Sequence, residues 1–392
     1  MRKRRSLLSL LLSLVLAGGL VPLFQAQSSA HVASEYEDAP ASFARIAQCG
    51  GATVFIWRAK RLMFCTGDGR VYTSEPGALS WEQDQVEDRQ YAIDTEDGLA
   101  ENACGNFWNP AIVKRKVARG SGQDPWVMVY QSNFRTVDQE GNAGPCRQKK
   151  RCLYVATAQK AMGPYTTSTE TNGRLVCDAY APQWFTSSKG LYLLAKTHGK
   201  KTAGGATIGK TGIAYRKMGA GLLRFERGSS WVPVDISSTR TWEDARCSGA
   251  DERPHKNCPI EGPAFLRLPS GYWVMFYSAG DWRSDSYGMG YIVCGNKAMP
   301  ARTCTKPRKN QLVSRVGRSF SIGAGMGVAT MPDANGKVKI QLVAAGFFGD
   351  VEGSGCTIEC NADFKHKYAR IFQLRNNIYR GFPDDLDVKL LQ

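Results

Sequence analysis

Short apolar runs closed by Gly, Pro, Asn or Ser recur along this chain, while the 3.6-residue periodicity of an amphipathic helix is nearly absent. The runs come in pairs. Ala52 to Trp57 is followed by Arg61 to Thr66, Pro110 to Val117 by Trp126 to Gln131, and Pro182 to Thr186 by Leu191 to Lys196. Pro263 to Leu268 is followed by Tyr272 to Ser278, and Gly325 to Met331 by Val338 to Ala344. Three connections, Ser187-Ser188-Lys189-Gly190, Leu268-Pro269-Ser270-Gly271 and Asp333-Ala334-Asn335-Gly336, have the residues a hairpin turn needs. A third strand is expected after each pair: Arg70 to Ser74, Leu153 to Ala158, Gly212 to Lys217, Gly288 to Val293 and Ala369 to Leu374.

The second strands begin near positions 61, 126, 191, 272 and 338, at intervals of 65, 65, 81 and 66. A small sheet repeated at a near-constant period buries its faces only against its neighbours, which predicts an all-β fold, a five-bladed β-propeller. A β-sandwich is the competing architecture, and the five-fold recurrence argues against it. Radial repetition lets one core grow blade by blade, so residues 48–392 are expected to form a single propeller domain.

The pattern changes at the N-terminus. Arg2, Lys3, Arg4 and Arg5 precede an apolar run from Leu7 to Phe24 and the small residues Ser28-Ser29-Ala30. Residues 1–30 therefore read as a secretion signal, followed by an N-terminal extension over 31–47. The expected location is extracellular or cell-wall associated. The twelve cysteines fit an oxidising compartment. Short spacings nominate Cys146 with Cys152, Cys247 with Cys258, Cys294 with Cys304 and Cys356 with Cys360 as disulfides. No C-x2-C pair is present and there are only four histidines, so no metal is expected.

The chain carries a net charge of +16, which becomes 16 − 4 = +12 without the four basic residues of the signal. Basic clusters at Lys114 to Lys116, Arg147 to Arg151, Lys200-Lys201 and Lys306 to Lys309 are expected in turns, as a solvated surface. They lack the interleaved aromatics of a single-strand binder, which disfavours nucleic acid as a partner.

One acidic side chain stands out. Glu261 lies in Cys258-Pro259-Ile260-Glu261-Gly262-Pro263, just ahead of an apolar strand, a Pro-Ser-Gly turn and an aromatic-rich strand. A carboxylate at the mouth of a rigid hairpin is how an all-β scaffold presents an acid to a substrate. A surface carboxylate paired with one of the many arginines is the plainer alternative.

Further motifs point to a known family. These are Tyr72-Thr73-Ser74 with Ser80-Trp81, Phe107-Trp108-Asn109-Pro110-Ala111, Ala156-Thr157-Ala158 with Gly163-Pro164-Tyr165, Pro182-Gln183-Trp184-Phe185 with Leu191-Tyr192-Leu193-Leu194, Trp242-Glu243, Glu261-Gly262-Pro263 with Tyr287-Gly288-Met289-Gly290-Tyr291, and Gly323-Ala324-Gly325. In this order, over about residues 48 to 375, they resemble the family 43 glycoside hydrolases, propellers that cleave arabinose- and xylose-containing glycans. The resemblance implies an inverting glycosidase with a base Asp, a Glu acid and an Asp that tunes the acid. Acid and base would stand roughly 6.5–9.5 Å apart to admit a water. Glu261 matches the acid. The base position falls at Gly51 and the tuning position at Ala181, while Ala111 and Met326 replace two further family residues. No Asp lies between Asp38 and Asp68.

The expectation is thus a secreted protein acting on arabinose- or xylose-containing polysaccharide, with Glu261 as general acid and Asp178 the carboxylate best able to assist. Glu101, Asp281 and Asp285 are weaker candidates. Trp108, Trp184, Tyr180 and Trp282 are the candidate sugar contacts, and the strand-centre Trp273 is expected in the core. The alternative is a non-catalytic glycan-binding propeller that has lost its base. No cofactor is expected. The partner would be a polysaccharide or oligosaccharide, with no membrane after signal removal, and the protein a monomer.

Overall fold

A computed structural model describes residues 50–390 apart from 198–211, 237–259, 280–287, 349–366 and several shorter stretches, and every regular element among the described residues is a strand. The first sheet contains Gly50–Trp57 (β1), Lys60–Thr66 (β2), Val71–Ser74 (β3) and Glu82–Gln83 (β4), paired in that order. The second contains Ala103–Lys114 (β5), Trp126–Phe134 (β6), Arg147–Ala158 (β7) and Thr166–Thr167 (β8), with Arg174–Cys177 (β9) also on β7. The third contains Ala179–Ser187 (β10), Gly190–Thr197 (β11), Ile213–Lys217 (β12) and Val232–Ile236 (β13). Ile260–Arg267 (β14), Trp273–Ala279 (β15) and Gly288–Val293 (β16) begin the fourth sheet. Thr303–Cys304 (β17) then pairs in parallel with β13 of the third sheet, and Gln311–Val313 (β18) completes the fourth. Phe320–Pro332 (β19), Val338–Phe348 (β20), Lys367–Arg375 (β21) and Asp387–Leu390 (β22) form the fifth.

The first strand of each sheet lies innermost. β1 packs on β5 and β19, β10 packs on β5 and β14, and β14 packs on β19, so these five strands close a ring. The sheets stand around it as a β-propeller. The polar hairpin turns at 187–190 and 268–271 work as their residues demand. At Leu268–Gly271 the Gly271 amide donates to the Leu268 carbonyl at 2.8 Å, and Gly271 has φ +90°, which glycine adopts without steric cost.

Cores form where neighbouring sheets face each other, and strand alternation divides the side chains between them. On β6, Trp126, Met128 and Tyr130 enter a cluster with Leu62, Phe64 and Val71 of the first sheet. Val127 and Val129, pointing the other way, join Leu193, Ala195 and Ala214 of the third. A third cluster holds Phe185, Tyr192 and Tyr215 against Phe265, Trp273 and Met275. Trp273 is buried, as the sequence predicts.

Three sequence expectations change. Cys146 does not pair with Cys152: the bonds are Cys104–Cys146 and Cys152–Cys177, while Cys294–Cys304 forms as expected. The reason is extension. Arg147–Arg151 is strand rather than turn, and an extended chain rises about 3.3 Å per residue, which carries Cys152 away from Cys146. Cys152 then sits opposite Cys177 in the β7–β9 register. Next, Arg115 is not a solvated cation. It is buried, with Nε donating to the Asp124 carbonyl at 2.7 Å and Nη1 to the Gly221 carbonyl at 2.8 Å. Arg115 therefore braces the second sheet against the segment between β12 and β13, while Lys114 and Lys116 beside it are exposed. Lastly, each sheet has a fourth strand, in three cases only two or three residues long, that the apolar pattern does not reveal.

The expected signal and extension, Trp282, Asp281, Asp285, and the cysteines at 247, 258, 356 and 360 lie outside the described residues. Among the described residues no helix is long and apolar enough to cross a membrane, and no group of three or more His, Cys, Asp or Glu side chains could hold a metal ion.

Candidate functional site

The five inner strands share one irregularity. In β1 the register skips between Gly50 and Thr53, in β5 between Trp108 and Ala111, in β10 between Tyr180 and Gln183, in β14 between Glu261 and Ala264, and in β19 between Gly323 and Met326. Two residues bulge out in each case: Gly51-Ala52, Asn109-Pro110, Ala181-Pro182, Gly262-Pro263 and Ala324-Gly325. Proline is tolerated here because a bulge leaves its missing N–H without a ladder partner to lose. The first bulge residue takes the left-handed region in three strands, with φ +47° at Asn109, +50° at Ala181 and +57° at Gly262.

This repeat gives the candidate residues a common frame. The last paired residue before the bulge is Gly50, Trp108, Tyr180, Glu261 or Gly323. Trp108, Tyr180 and Glu261 thus hold equivalent positions on three consecutive inner strands. All three are half-buried. The charge of Glu261 bears on Tyr180: burial pushes the phenol well above its ordinary value, the Glu261 carboxylate pushes it further, and Arg151 opposes both.

Arg151 comes from β7 and was not singled out in the sequence. Its guanidinium lies over the Trp108 ring at 5.3 Å and over the Tyr180 ring at 5.7 Å. It thereby occupies one face of each ring. No sequence signal marks it, because the Arg147–Arg151 cluster reads as surface charge until the strand register is known.

Gln131 is the second residue that sequence reading missed. It is buried, and its Oε1 accepts from the Ala181 amide at 3.1 Å and from Asn109 Nδ2 at 3.4 Å. One side chain therefore fixes two neighbouring bulges. The Asn109 amide donates to Thr66 Oγ1 at 2.9 Å, and Thr53 Oγ1 donates to the Pro110 carbonyl, which links the first sheet to the second at the same level. Gln183 Nε2 meets Thr53 Oγ1 at 3.5 Å across the ring.

The remaining candidates are elsewhere. Asp178 is exposed, one residue before β10, with φ +58°; its amide donates to the Arg151 carbonyl at 2.8 Å. Trp184 packs against the apolar cluster between the second and third sheets. Glu101 is exposed and lines a cleft of about 510 Å³ with Arg135, Asp138 and Arg174, whose lining includes none of Trp108, Arg151, Tyr180 and Glu261. On the five inner strands Glu261 is the sole carboxylate, since β1, β5, β10 and β19 contain no Asp or Glu.

No protein-family model matches this sequence, and no curated protein does. Solved structures do match in fold. A thermostable family-43 glycoside hydrolase is 17% identical, with 88% of this chain and 94% of that one aligned at a TM-score of 0.55. An endo-1,4-β-xylanase from Bacteroides thetaiotaomicron is 14% identical over 88% and 95% of the two chains, at 0.56. The α-L-arabinanase of Cellvibrio cellulosa, solved with arabinohexaose, is 14% identical over 87% and 95%, at 0.50. At these identities the likeness establishes a shared β-propeller fold.

Proposed function

We propose that this protein is a polysaccharide-binding propeller with the fold of the family 43 glycoside hydrolases, and that its glycan site is built around Glu261, Tyr180 and Trp108. The observation that carries this reading is their equivalence: a carboxylate, a phenol and an indole stand at one level on three adjacent strands of the ring. A carboxylate accepts hydrogen bonds from sugar hydroxyls, and the remaining open face of an aromatic ring covers the apolar face of a pyranose or furanose. The structural neighbours include a xylanase and an arabinanase, which points to pentose-containing polysaccharide as the class to test. The disulfides favour an oxidising compartment, in line with export.

Binding is preferred to turnover because inverting hydrolysis needs two carboxyl groups across the scissile bond. Glu261 has no carboxylate partner on the inner strands, and the bulge positions Gly51 and Ala181 bring none. Removal of a general base costs on the order of 10²–10⁴ in rate. The second reading, hydrolysis with Glu261 as general acid assisted by Asp178, is favoured by the hydrolase neighbours and opposed by the exposure of Asp178.

Calorimetric titration with arabino- and xylo-oligosaccharides, together with reducing-sugar assays on arabinan and xylan, separates the two. Binding that weakens about tenfold in Glu261→Gln, with no sugar release above blank, is expected. Sugar release that disappears in Glu261→Gln would replace the binding reading with the hydrolytic one. Absence of any glycan binding or cleavage would remove both.

A further inference from the structure

We infer that Arg151 makes this site selective for acidic glycans by taking the carboxylate of a uronic acid residue. The inference rests on the polysaccharide reading above and names the substrate class. Trp108 and Tyr180 lie at 5.3 and 5.7 Å from the guanidinium carbon of Arg151, on strands β5 and β10, while Arg151 itself comes from β7. A cation–π contact acts on the charge of the guanidinium and consumes none of its N–H donors, which stay available to a ligand. Among the described residues those N–H groups donate no hydrogen bond and reach no carboxylate. Two buried arginines, Arg61 and Arg115, commit theirs internally instead. Arg61 Nη2 donates to Ser74 Oγ at 2.6 Å and to the Glu75 carbonyl at 3.2 Å, and Arg115 donates to the carbonyls of Asp124 and Gly221.

The location makes this more than a surface cation. Both rings that clamp Arg151 stand at the bulge position shared with Glu261, and Tyr180 feels both charges. A sugar hydrogen-bonded at Glu261 would therefore have a fixed planar cation beside it. The rings present that cation in place of one open face each, so an acidic substituent gains where a neutral sugar gains little. A guanidinium fork matches the two coplanar oxygens of a carboxylate in bidentate fashion, and such charge-assisted pairs are about twice as strong as neutral ones. The same fork would meet a tetrahedral sulfate ester less evenly, which is why uronate is chosen.

Calorimetry on the full chain would use a glucuronoxylan oligosaccharide, an oligogalacturonate, their carboxyl-reduced counterparts and a sulfated oligosaccharide. High salt would suppress attraction to the net positive charge. At least one acidic oligosaccharide is expected to bind about tenfold more tightly than its reduced form. Arg151→Gln should abolish that preference, and Arg151→Lys, which keeps the charge and loses the fork, should lose most of it. Thermal melting would check that both variants remain folded, and the comparison of acidic with reduced ligand on the native chain does not depend on either variant. Equal affinity for acidic and reduced forms overturns the inference and leaves the polysaccharide reading intact, as does a preference that survives Arg151→Gln or one confined to the sulfated ligand. Failure of every glycan, neutral or acidic, overturns both.

Discussion

Tyr180 and Glu261 occupy matching positions on adjacent inner strands, each the last residue in register before its strand bulges, and the carboxylate helps burial to keep the phenol protonated. Burial is the larger cause and the carboxylate the next. A negative charge beside a phenol disfavours tyrosinate, so removal of that charge must lower the pH at which Tyr180 ionises. Glu261→Gln should bring the Tyr180 titration down without returning it to the ordinary tyrosine range. Tyrosinate absorbance, taken as the difference between each protein and its Tyr180→Phe counterpart, measures the shift. Identical titrations with and without Glu261 would show that the two groups do not communicate.

Alkaline pH should destabilise the fold through tyrosines buried between the first and second sheets. Burial pushes Tyr130 up to about 12, against the opposing effects of the Ala100 amide and Thr167, and burial holds Tyr165 well above its ordinary value. Below the unfolded value of about 10 both states carry the phenol proton, so their contribution is fully present. Above it the unfolded chain releases protons that the native one retains, and stability falls as pH rises. Each such phenol contributes a slope of about 1.4 kcal/mol per pH unit. Urea unfolding at a series of pH values from about 10 upward would read that slope. Tyr165→Phe also removes the hydrogen bond to the Ala161 carbonyl, so it should be less stable near neutrality and yet lose stability less steeply in alkali. An unchanged slope in that variant would assign the alkaline loss to other groups.

The pattern of apolar runs locates three strands of every sheet, most clearly strands such as β2, β6, β15 and β16, which are buried on both faces and read as continuous apolar stretches. It misplaces where the inner strands begin. Pro110, Pro182 and Pro263 look like strand starts, since proline lacks a ladder donor, yet β5, β10 and β14 run through them by bulging. The short outer strands Glu82–Gln83 and Thr166–Thr167 leave no apolar trace. For the candidate site, Glu261, Tyr180 and Trp108 were legible because charge and aromatic rings interrupt apolar runs at recognisable motifs. Arg151 and Gln131 were not. Each reaches the candidate site through cross-strand neighbours that only the register brings near, Trp108 and Tyr180 for one, Asn109 and Ala181 for the other.

The disulfides lend themselves to a direct chemical check. Non-reducing digestion followed by mass spectrometry should recover Cys104 linked to Cys146 and Cys152 linked to Cys177, with no peptide joining Cys146 to Cys152. The Cys152–Cys177 bond closes a sequence separation of 25 residues, for which the chain-entropy account gives about 3.5 kcal/mol. The double variant Cys152→Ser/Cys177→Ser should lose about that much in urea unfolding. Its core position matters too, because Cys152 is fully buried on β7, and serine there leaves a hydroxyl to be satisfied. Cys152→Ala/Cys177→Ala separates the two effects: it lacks the cross-link but introduces no polar group, and should be the more stable of the pair. Recovery of a Cys146–Cys152 peptide would contradict the β7–β9 register.

Phe185 joins the third sheet to the fourth. Its ring centroid lies 5.2 Å from that of Tyr192 and 5.3 Å from Tyr215 within its own sheet, and 5.1 Å from Phe265 and 5.8 Å from Trp273 in the next. Three of these contacts are edge-on, the arrangement in which the positive ring edge meets a negative face. Truncation to alanine leaves a cavity among large rigid rings that cannot collapse into it, so Phe185→Ala should cost about 3–5 kcal/mol. That is a large share of the roughly 5–15 kcal/mol that holds a typical domain folded. Phe185→Leu, which fills most of the space, should cost roughly half as much and keep the protein soluble enough to assay. The two-sheet geometry also predicts coupling. In urea unfolding, Phe185→Leu and Phe265→Leu should combine non-additively by about 0.5–1.5 kcal/mol, because either variant alone already removes their shared edge contact. Strict additivity would mean that the two rings do not interact across the blade interface.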